Sequence, residues 1–282
     1  MRHAVIAIVL LSLGGSKAAR AQHCHPPPPL APRSLGLRVG LGAEAATYKT
    51  ARHAGEYQGA SLNVGWEHRW VMLRAALPVY RLVRDGETLT GLGDVLVDAR
   101  VPFARTEGDT LVGGFRMAAT LPSGSAARDL GMGHVMVMPG FFVGWQAHGA
   151  FVQTQLAYGR ALAKGGHGAH GGGQGDHGDG HGDHGTGDTT HAGGPMPIVN
   201  PMNSSEVEAA VTVGYLLHEH LRVRGGMYGA IPVAAEGGAS RGAVMLGGDL
   251  LFGPVDLGVE GHLPVAGDPF LAKAMVTAGV RF

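Results

Sequence analysis

The sequence is poor in several residue types, and each shortage excludes a class of protein. Cys24 is the only cysteine in 282 residues, so no intramolecular disulfide framework can form. Charged residues make up 16% of the chain, with 22 basic against 22 acidic, which argues against a nucleic-acid-binding protein. Beyond the N-terminus no run of about 18 apolar residues offers a transmembrane helix. The apolar residues, 45% of the chain, are instead interleaved with polar ones.

The N-terminus has the pattern of an export signal. Arg2 and His3 precede an apolar run over residues 4–13, and the small residues Ala19 and Ala21 follow it. The run is too short to span a bilayer, so it predicts a Sec-type secretory signal peptide over residues 1–21. A proline-rich leader is expected over residues 22–33. Its His23-Cys24-His25 offers ligands for copper or zinc, although a plain spacer is the other interpretation, because adjacent residues close a tetrahedral site poorly.

Residues 34–282 alternate between apolar and polar side chains in stretches of about ten residues, bounded by turn residues. In Asp94 to Phe103, for example, Val95 and Val97 fall on one face while Asp98 falls on the other. About twelve such stretches occur, each long enough to be a tilted membrane strand. A soluble β-sandwich would give the same alternation, so this pattern alone leaves both folds open.

Connection lengths favour the membrane fold, because outer-membrane barrels alternate short turns with longer external loops. The last stretch, Lys273 to Phe282, also ends on an aromatic residue, which is typical of such barrels. We therefore predict an all-β chain, a transmembrane antiparallel up-and-down β-barrel of about 12 strands. Short connections are expected at 67–69, 146–149, 219–220 and 253–254, and long ones at 81–93, 122–134, 161–206 and 233–242.

Aromatic residues predict two girdles, one at each membrane interface. The first lies at the short-turn ends and comprises Trp66, Trp70, Phe103, Trp145, Phe151, Phe252 and Phe282. The second lies at the long-loop ends and comprises Tyr57, Tyr80, Tyr158 and Phe270.

Three short glycine-rich motifs carry a family resemblance: Gly91-Leu92-Gly93-Asp94-Val95, Leu121-Pro122-Ser123-Gly124 and Leu130-Gly131-Met132-Gly133. With them, residues 35–282 resemble the outer-membrane protein family named for the meta-pathway of phenol degradation. Members of that family are regarded as outer-membrane channels. The resemblance implies a passive route for small solutes, including apolar or aromatic ones. The chain departs from the family pattern in the long insert after the seventh stretch.

Charged residues within the strands must avoid lipid, so we expect them to line the lumen. Whether they surround an open pore or close it with ion pairs across the lumen is left open by the sequence, since a barrel of about twelve strands lies between filled and open barrels. The expected lumen-lining residues are Arg38, Arg74, Asp94, Asp98, Arg100, Arg116, Glu208, Arg222, Arg224, Asp249, Glu260 and Lys273.

The insert at 164–194 consists almost wholly of Gly, His and Asp, so we expect a disordered external loop without a core of its own. Imidazole and carboxylate groups bind Zn(II), Cu(II) or Ni(II), which makes metal capture one interpretation. A solvated insertion that binds metal only loosely is the other, because no fixed ligand spacing is visible. The candidate ligands are His167, His170, Asp176, His177, Asp179, His181, Asp183, His184 and His191.

Together these features predict a passive outer-membrane channel of a Gram-negative bacterium, with a metal-binding external loop. The alternative is a surface metal-binding protein whose barrel serves as an anchor. We expect no enzymatic activity, because no nucleophile, base and orienting acid occur together in a recognisable motif. No cofactor is expected to be required. The expected partners are membrane lipid, a small-molecule solute and, through the C-terminal strand ending in Phe282, the barrel-assembly machinery.

Overall fold

The computed structural model describes residues 36–50, 53–162, 198–199, 201–233, 239–267 and 270–282. The predicted signal peptide, the leader and the His-rich insert lie outside these residues. Thirteen strands are present in the described ranges. They are β1 Gly36–Lys49, β2 Ala54–His68, β3 Val71–Arg84, β4 Glu87–Leu92, β5 Val95–Arg105, β6 Leu111–Leu121, β7 Met136–Ala147, β8 Ala150–Ala161, β9 Ser205–His218, β10 Leu221–Pro232, β11 Arg241–Phe252, β12 Val255–Ala266 and β13 Phe270–Arg281.

The strands form one closed antiparallel barrel with twelve strand positions, so the predicted fold is confirmed. Consecutive strands pair with each other except β4 and β5, which both pair with β3. β1 pairs with β13, with Arg38 opposite Arg281 and Ala46 opposite Lys273. Closure satisfies the backbone hydrogen bonds of the first and last strands, so no sheet edge is left there. Within the described residues the only helical elements are the short 3₁₀ turns Glu107–Asp109 and Ala126–Arg128.

Strand β4 was not predicted, because the sequence analysis assigned 81–93 to a long loop. In the structure β3 continues to Arg84 and turns back through Asp85 and Gly86, which both have positive φ angles of 51° and 88°. Two such residues in succession fit the tight hairpin turn that matches strand twist. β4 and β5 then occupy a single strand position beside β3, separated by Gly93 and Asp94.

The interruption between β4 and β5 is held by Ser123. Its hydroxyl donates to the carbonyl of Gly93 at 2.7 Å and accepts the backbone N–H of Val95 at 2.9 Å. The Gly93 N–H donates to the Pro78 carbonyl at 3.0 Å, which keeps the interruption against β3. The break therefore retains its backbone hydrogen bonds.

The barrel has an apolar outside and a polar inside. Along β12, for example, Leu257 and Val259 are exposed, whereas Asp256, Glu260 and His262 are buried. The same alternation of exposed apolar and buried polar side chains runs along β5, β6 and β13. A soluble protein would bury the apolar face instead. No helix among the described residues is both long and apolar enough to cross a membrane.

The aromatic girdles agree with the sequence only in part. Trp66, Trp145, Phe252 and other members of the first girdle are exposed, but Phe151 is partly buried under the guanidinium of Arg222, 5.8 Å from its ring centre. In the second girdle only Tyr158 is exposed. Tyr57, Tyr80 and Phe270 are buried and pack against one another inside the barrel. In β2, β3 and β13 these three residues occupy the alternate positions that point into the barrel. The prediction of a girdle considered only their distance from the strand ends.

Candidate functional site

The barrel interior contains two regions of opposite character. Toward the short turns lies the charged layer, and toward the long loops lies the apolar layer. The charged layer comprises Arg38, Glu67, Arg74, Asp98, Arg100, Arg116, Arg222, Arg224, Asp249, Asp256 and Glu260. The apolar layer comprises Ala46, Tyr48, Tyr57, Tyr80, Leu82, Leu130, Ile198, Val199 and Phe270.

All twelve side chains predicted to line the lumen lie inside the barrel. Asp94 and Lys273 border a cavity of about 70 Å³ near the middle of the interior. Arg116 and Glu208 are buried, at 2% and 7% exposure. The other eight surround a cavity of about 150 Å³: Arg38, Arg74, Asp98, Arg100, Arg222, Arg224, Asp249 and Glu260.

One network of the charged layer runs along three consecutive strands. Arg222 and Asp249 are register partners on β10 and β11, and the Arg222 Nε donates to Asp249 Oδ2 at 2.9 Å. Arg224 lies 3.3 Å from the same carboxylate and reaches Glu260 on β12 at 3.1 Å. The intervening β11 residue is Gly247, whose added Cβ would lie 3.2 Å from the Glu260 side chain. Because Gly247 has no side chain, Arg224 and Glu260 can form their ion pair across β11, close to its backbone.

A second pair spans a strand in the same manner. Arg38 on β1 binds Asp256 on β12, and the side chains cross β13 at Gly279. A Cβ at Gly279 would lie 3.0 Å from Asp256 and 3.1 Å from the Arg38 guanidinium, closer than ordinary packing permits. Arg281 approaches the other Asp256 oxygen at 3.6 Å.

On the opposite part of the wall, Asp98 lies between two arginines. Arg100 Nε donates to one of its oxygens at 2.9 Å and Arg116 Nε to the other at 2.5 Å. Arg74 on β3 donates to Glu67 on β2 at 2.8 Å. Each of these charge-assisted bonds joins residues of one strand, neighbouring strands or strands one position apart. These ion pairs therefore follow the wall rather than cross the lumen.

The charge networks also include interior residues outside the predicted set, among them Asp256, His262, Glu206 and Arg241. Asp256 and His262 have the same parity along β12 as Glu260, and the His262 Nε2 lies 2.5 Å from Glu260. Glu206 has the same parity as Glu208 on β9, and it pairs with Arg241. Strand parity was the signal that could have identified them.

The Arg241 and Glu206 pair anchors the chain just before β9. Both side chains are fully buried. The other Glu206 oxygen accepts the backbone N–H of Asn203 at 3.0 Å, and Arg241 also donates to the Pro201 carbonyl. The Asn203 amide donates to the Ala239 carbonyl at 3.2 Å. Residues 201–203 are thereby fixed inside the long-loop end of the barrel.

The apolar layer is completed by two segments that fold inward from the long loops. Leu130 belongs to the β6–β7 connection, and Ile198 and Val199 precede β9. The Val199 N–H donates to the Asp129 carbonyl at 3.2 Å, and the Asp129 side chain binds Arg84. These contacts join both segments to the end of β3 and narrow the long-loop end of the lumen.

Asp94 holds the first of these segments. Its two carboxylate oxygens accept the backbone N–H of Gly124 at 3.0 Å and that of Met132 at 2.7 Å. Gly131 lies against the same carboxylate, because a Cβ at this position would be 2.4 Å from Asp94 Oδ1. A glycine is therefore required for this close approach.

The predicted metal ligands of the insert lie outside the described residues, so that hypothesis stays a prediction. Among the residues that the structure does describe, no group of three or more His, Cys, Asp or Glu side chains is arranged to hold a metal ion.

No family model and no curated protein sequence matches the chain, so the resemblance to the meta-pathway family stays a prediction. Among solved structures, the translocator domain of the autotransporter NalP from Neisseria meningitidis is similar at 14% identity and a TM-score of 0.49, covering 90% of this chain and 91% of that chain. The Pseudomonas putida toluene transporter TodX has 8% identity and a TM-score of 0.43, covering 89% and 91%. The CymD monoaromatic hydrocarbon channel has 14% identity and a TM-score of 0.38, covering 88% and 89%. These similarities are too low to assign a function.

Proposed function

We propose that this chain is an outer-membrane β-barrel that gives small solutes a passive route across the membrane. The observation that carries the proposal is the reversal of polarity between its two faces. Exposed leucine, valine and aromatic side chains surround the barrel, while the arginine and carboxylate side chains of the charged layer are inside. Lipid accepts the first surface, and water or a polar solute accepts the second.

The arrangement of the ion pairs supports a route rather than a filled anchor. Because Arg38, Arg224 and their partners lie along the wall, a cavity of about 150 Å³ remains between them. A cavity of this volume accommodates a small molecule of roughly the size of benzene.

The apolar layer favours solutes with an apolar or aromatic part. A solute that leaves the charged layer toward the long loops meets Tyr57, Tyr80 and Phe270, whose rings lie 5.0 to 5.8 Å apart. Aromatic rings stack with an aromatic solute and add to the energy of simple burial. Passage requires Leu130 and Val199 to move aside, because both are fully packed in this layer.

The same proposal gives the location and partners. The N-terminal signal directs Sec-type export, lipid covers the exposed apolar surface, and β13 with Phe282 presents the C-terminal strand to the assembly machinery. Zn(II), Cu(II) or Ni(II) binding by the His-rich insert is a separate addition. Deleting residues 165–194 tests it, because a channel keeps its permeability whereas a surface metal scavenger loses its activity.

Single-channel recording of the refolded mature protein in a planar bilayer tests the route. Asn63 of β2 borders the 150 Å³ cavity, whereas its neighbour Leu62 faces outward and is exposed. We expect unitary current steps, and we expect a charged methanethiosulfonate reagent to reduce them in Asn63→Cys. The matched variant Leu62→Cys should keep its current, because its thiol faces lipid.

The wild-type protein is the control for the natural Cys24, which is present in all three proteins. Folded barrel that passes no current would contradict the proposed function. So would equal loss of current in Asn63→Cys and Leu62→Cys, because the current would then bypass the cavity.

A further inference from the structure

Small residues form one continuous patch on the wall of the 150 Å³ cavity. The patch lies on the neighbouring strands β12, β13, β1, β2 and β3 and comprises Gly258, Thr277, Gly40, Asn63, Gly65 and Ala76. Gly40 is the register partner of Asn63, and Asn63 is that of Ala76. Gly258 is the register partner of Thr277. A planar molecule can approach the backbone here, because no large side chain projects from the patch.

Arginine side chains border this patch on both sides. Arg38 and Arg74 are the register partners of Gly65 on β1 and β3. A Cβ built at Gly65 would lie 3.5 Å from Arg74 Cγ and 3.9 Å from Arg38 Cβ. At the other side, a Cβ built at Gly258 would lie 3.8 Å from Arg224 Nη2. These three arginines therefore line the cavity from the edges of a single stretch of wall.

Positive charge exceeds negative charge around the cavity. Together with Arg281, the charged layer has seven arginines against five carboxylates, an excess of two positive charges among the described residues. The carboxylates of Asp98, Asp249 and Asp256 are each shared by two arginines. Rings of arginine with excess positive charge are typical of pores that pass anions.

The ion pairs also leave a buried donor without an acceptor. A guanidinium has more N–H donors than a single carboxylate binds. The Arg224 side chain is 9% exposed, and its Nε finds no hydrogen-bond acceptor among the described residues. An unsatisfied buried donor is costly, so an anion that enters this cavity gains a hydrogen bond that the wall does not supply.

The other inward carboxylates lie farther toward the long loops and do not border this cavity. They are those of Glu44, Asp94, Glu206 and Glu208. Lys273 lies 3.1 Å from Glu44, and Arg241 pairs with Glu206. An anion in the larger cavity is therefore faced by the carboxylates of the charged layer, which the arginines of that layer outnumber.

We propose that the 150 Å³ cavity selects small planar organic anions, and that aromatic carboxylates are the class that fits it. The ring lies on the patch of small residues, and the carboxylate accepts hydrogen bonds from Arg224 and the other arginines at its edges. The ring of such a solute also suits the aromatic surface of the apolar layer. This inference rests on the proposed channel function and names the solute class for it.

Three probes of one planar shape test the selection. At neutral pH benzoate is an anion, benzamide is neutral and benzamidinium is a cation. Each is titrated into the refolded mature protein, and the ¹⁵N signals of the arginine side chains are followed by NMR. We expect benzoate to shift Arg38, Arg74 and Arg224 and to bind about tenfold more tightly than benzamide, because its hydrogen bonds are charge-assisted. The exposed Arg81 should not shift.

One pair of variants on β2 makes the charge of the cavity the only difference. Asn63 borders the cavity, whereas Gln58 is exposed on the outer face of the barrel. Asn63→Asp places a negative charge in the cavity without breaking an ion pair, so benzoate should bind about tenfold more weakly. Gln58→Glu makes the same amide-to-carboxylate change outside the lumen and should leave benzoate binding unchanged.

Benzamide or benzamidinium that binds as tightly as benzoate would overturn the proposal, as would equal benzoate affinity in Asn63→Asp and Gln58→Glu. The three probes decide the question on the wild-type protein even if Asn63→Asp fails to fold. Single-channel current in KCl separates this inference from the channel function. Current steps from a protein that does not bind benzoate would refute the anion site alone. Benzoate binding by a folded barrel that passes no current would refute the channel and support the site.

Discussion

The charged layer and the apolar layer occupy the same barrel, yet they use its interior in opposite ways. An arginine gains most from a carboxylate at hydrogen-bonding distance, so Arg222, Arg224 and Arg38 bind partners on the wall and leave the centre open. Apolar side chains gain from contact with one another, so Tyr57, Phe270 and the inward segments collect into a packed cluster. Directional ion pairs therefore leave a cavity in the short-turn half of the barrel, and the packing of apolar side chains fills the long-loop half.

This difference places two environments in series along the barrel axis. The short-turn half offers polar surface and a cavity, and the long-loop half offers aromatic surface held by backbone hydrogen bonds to Asp94 and Glu206. A solute that crosses the barrel must exchange one environment for the other. The proposed route requires the segments at Leu130 and Val199 to move, and a few specific contacts tie these segments to the wall.

Breaking the anchor of the apolar layer should have the largest effect. Arg241→Ala leaves Glu206 fully buried without its cationic partner. Removing one member of a buried ion pair costs about 3–5 kcal/mol, so we expect a loss of unfolding free energy of that order in a denaturant titration. The matched variant Arg81→Ala breaks the exposed pair with Glu56, whose side chains are 45% and 51% exposed, and should cost about 0–1 kcal/mol.

Equal losses in Arg241→Ala and Arg81→Ala would show that Glu206 is solvated, and the anchor would then not exist. A loss confined to Arg241→Ala, accompanied by larger or more frequent current steps, would connect the anchor to the narrowing of the lumen.

An arginine placed on the outward face of β12 tests the contrast between the polar inside and the apolar outside of the wall. Val259 is an outward residue near the middle of β12, beside the inward Glu260. Arginine at the bilayer midplane of a barrel costs about 2–4 kcal/mol, so Val259→Arg should lower the unfolding free energy in lipid vesicles by that amount. Val265→Arg, at the long-loop end of the same strand, should cost only about 0–1 kcal/mol because the charge reaches the interface. Equal losses of unfolding free energy in Val259→Arg and Val265→Arg would contradict a bilayer in which residue 259 lies near the midplane and residue 265 near the interface.

Much of the barrel follows directly from the sequence, and the exceptions have physical reasons. Strands β6 and β10 lie where the sequence alternates regularly between turn residues, at Leu111–Leu121 and Leu221–Pro232. Strand β4 was missed because Asp85 and Gly86 make a turn of two residues inside a segment taken as a loop. Hydrogen bonds from Gly93 to Pro78 and between Ser123 and its neighbours then hold the break between β4 and β5 in place. No local sequence pattern predicts these contacts.

The interior was harder to predict than the wall. Strand parity identifies which charged residues are inward, and all twelve of the expected ones are. Their partners depend on the register between strands, as in the contact of Arg38 with Asp256 across Gly279. The aromatic residues at the long-loop ends were assigned to a girdle because composition alone does not say that Ile198 and Val199 fold inward to meet them.

The smallest effect is expected at the turn of Asp85 and Gly86, which lies beyond the lipid-facing surface at the long-loop end of the barrel. A hydrogen bond from His53, and a second from the Ala54 N–H, hold the pKa of Asp85 below its ordinary value of 3.8. A carboxyl with a lowered pKa in the folded state contributes stability above 3.8, and this contribution is lost as the pH falls through the lowered value.

In His53→Gln we expect the pKa of Asp85 to rise but to stay below 3.8, because the Ala54 hydrogen bond remains. An NMR titration of the Asp85 carboxyl measures this shift, with His68→Gln at the opposite end of β2 as the control. Stability at neutral pH should fall slightly in His53→Gln, because the stabilisation from the lowered pKa is fully present above 3.8. A pKa that stays the same in His53→Gln would assign the whole shift to the backbone of the turn.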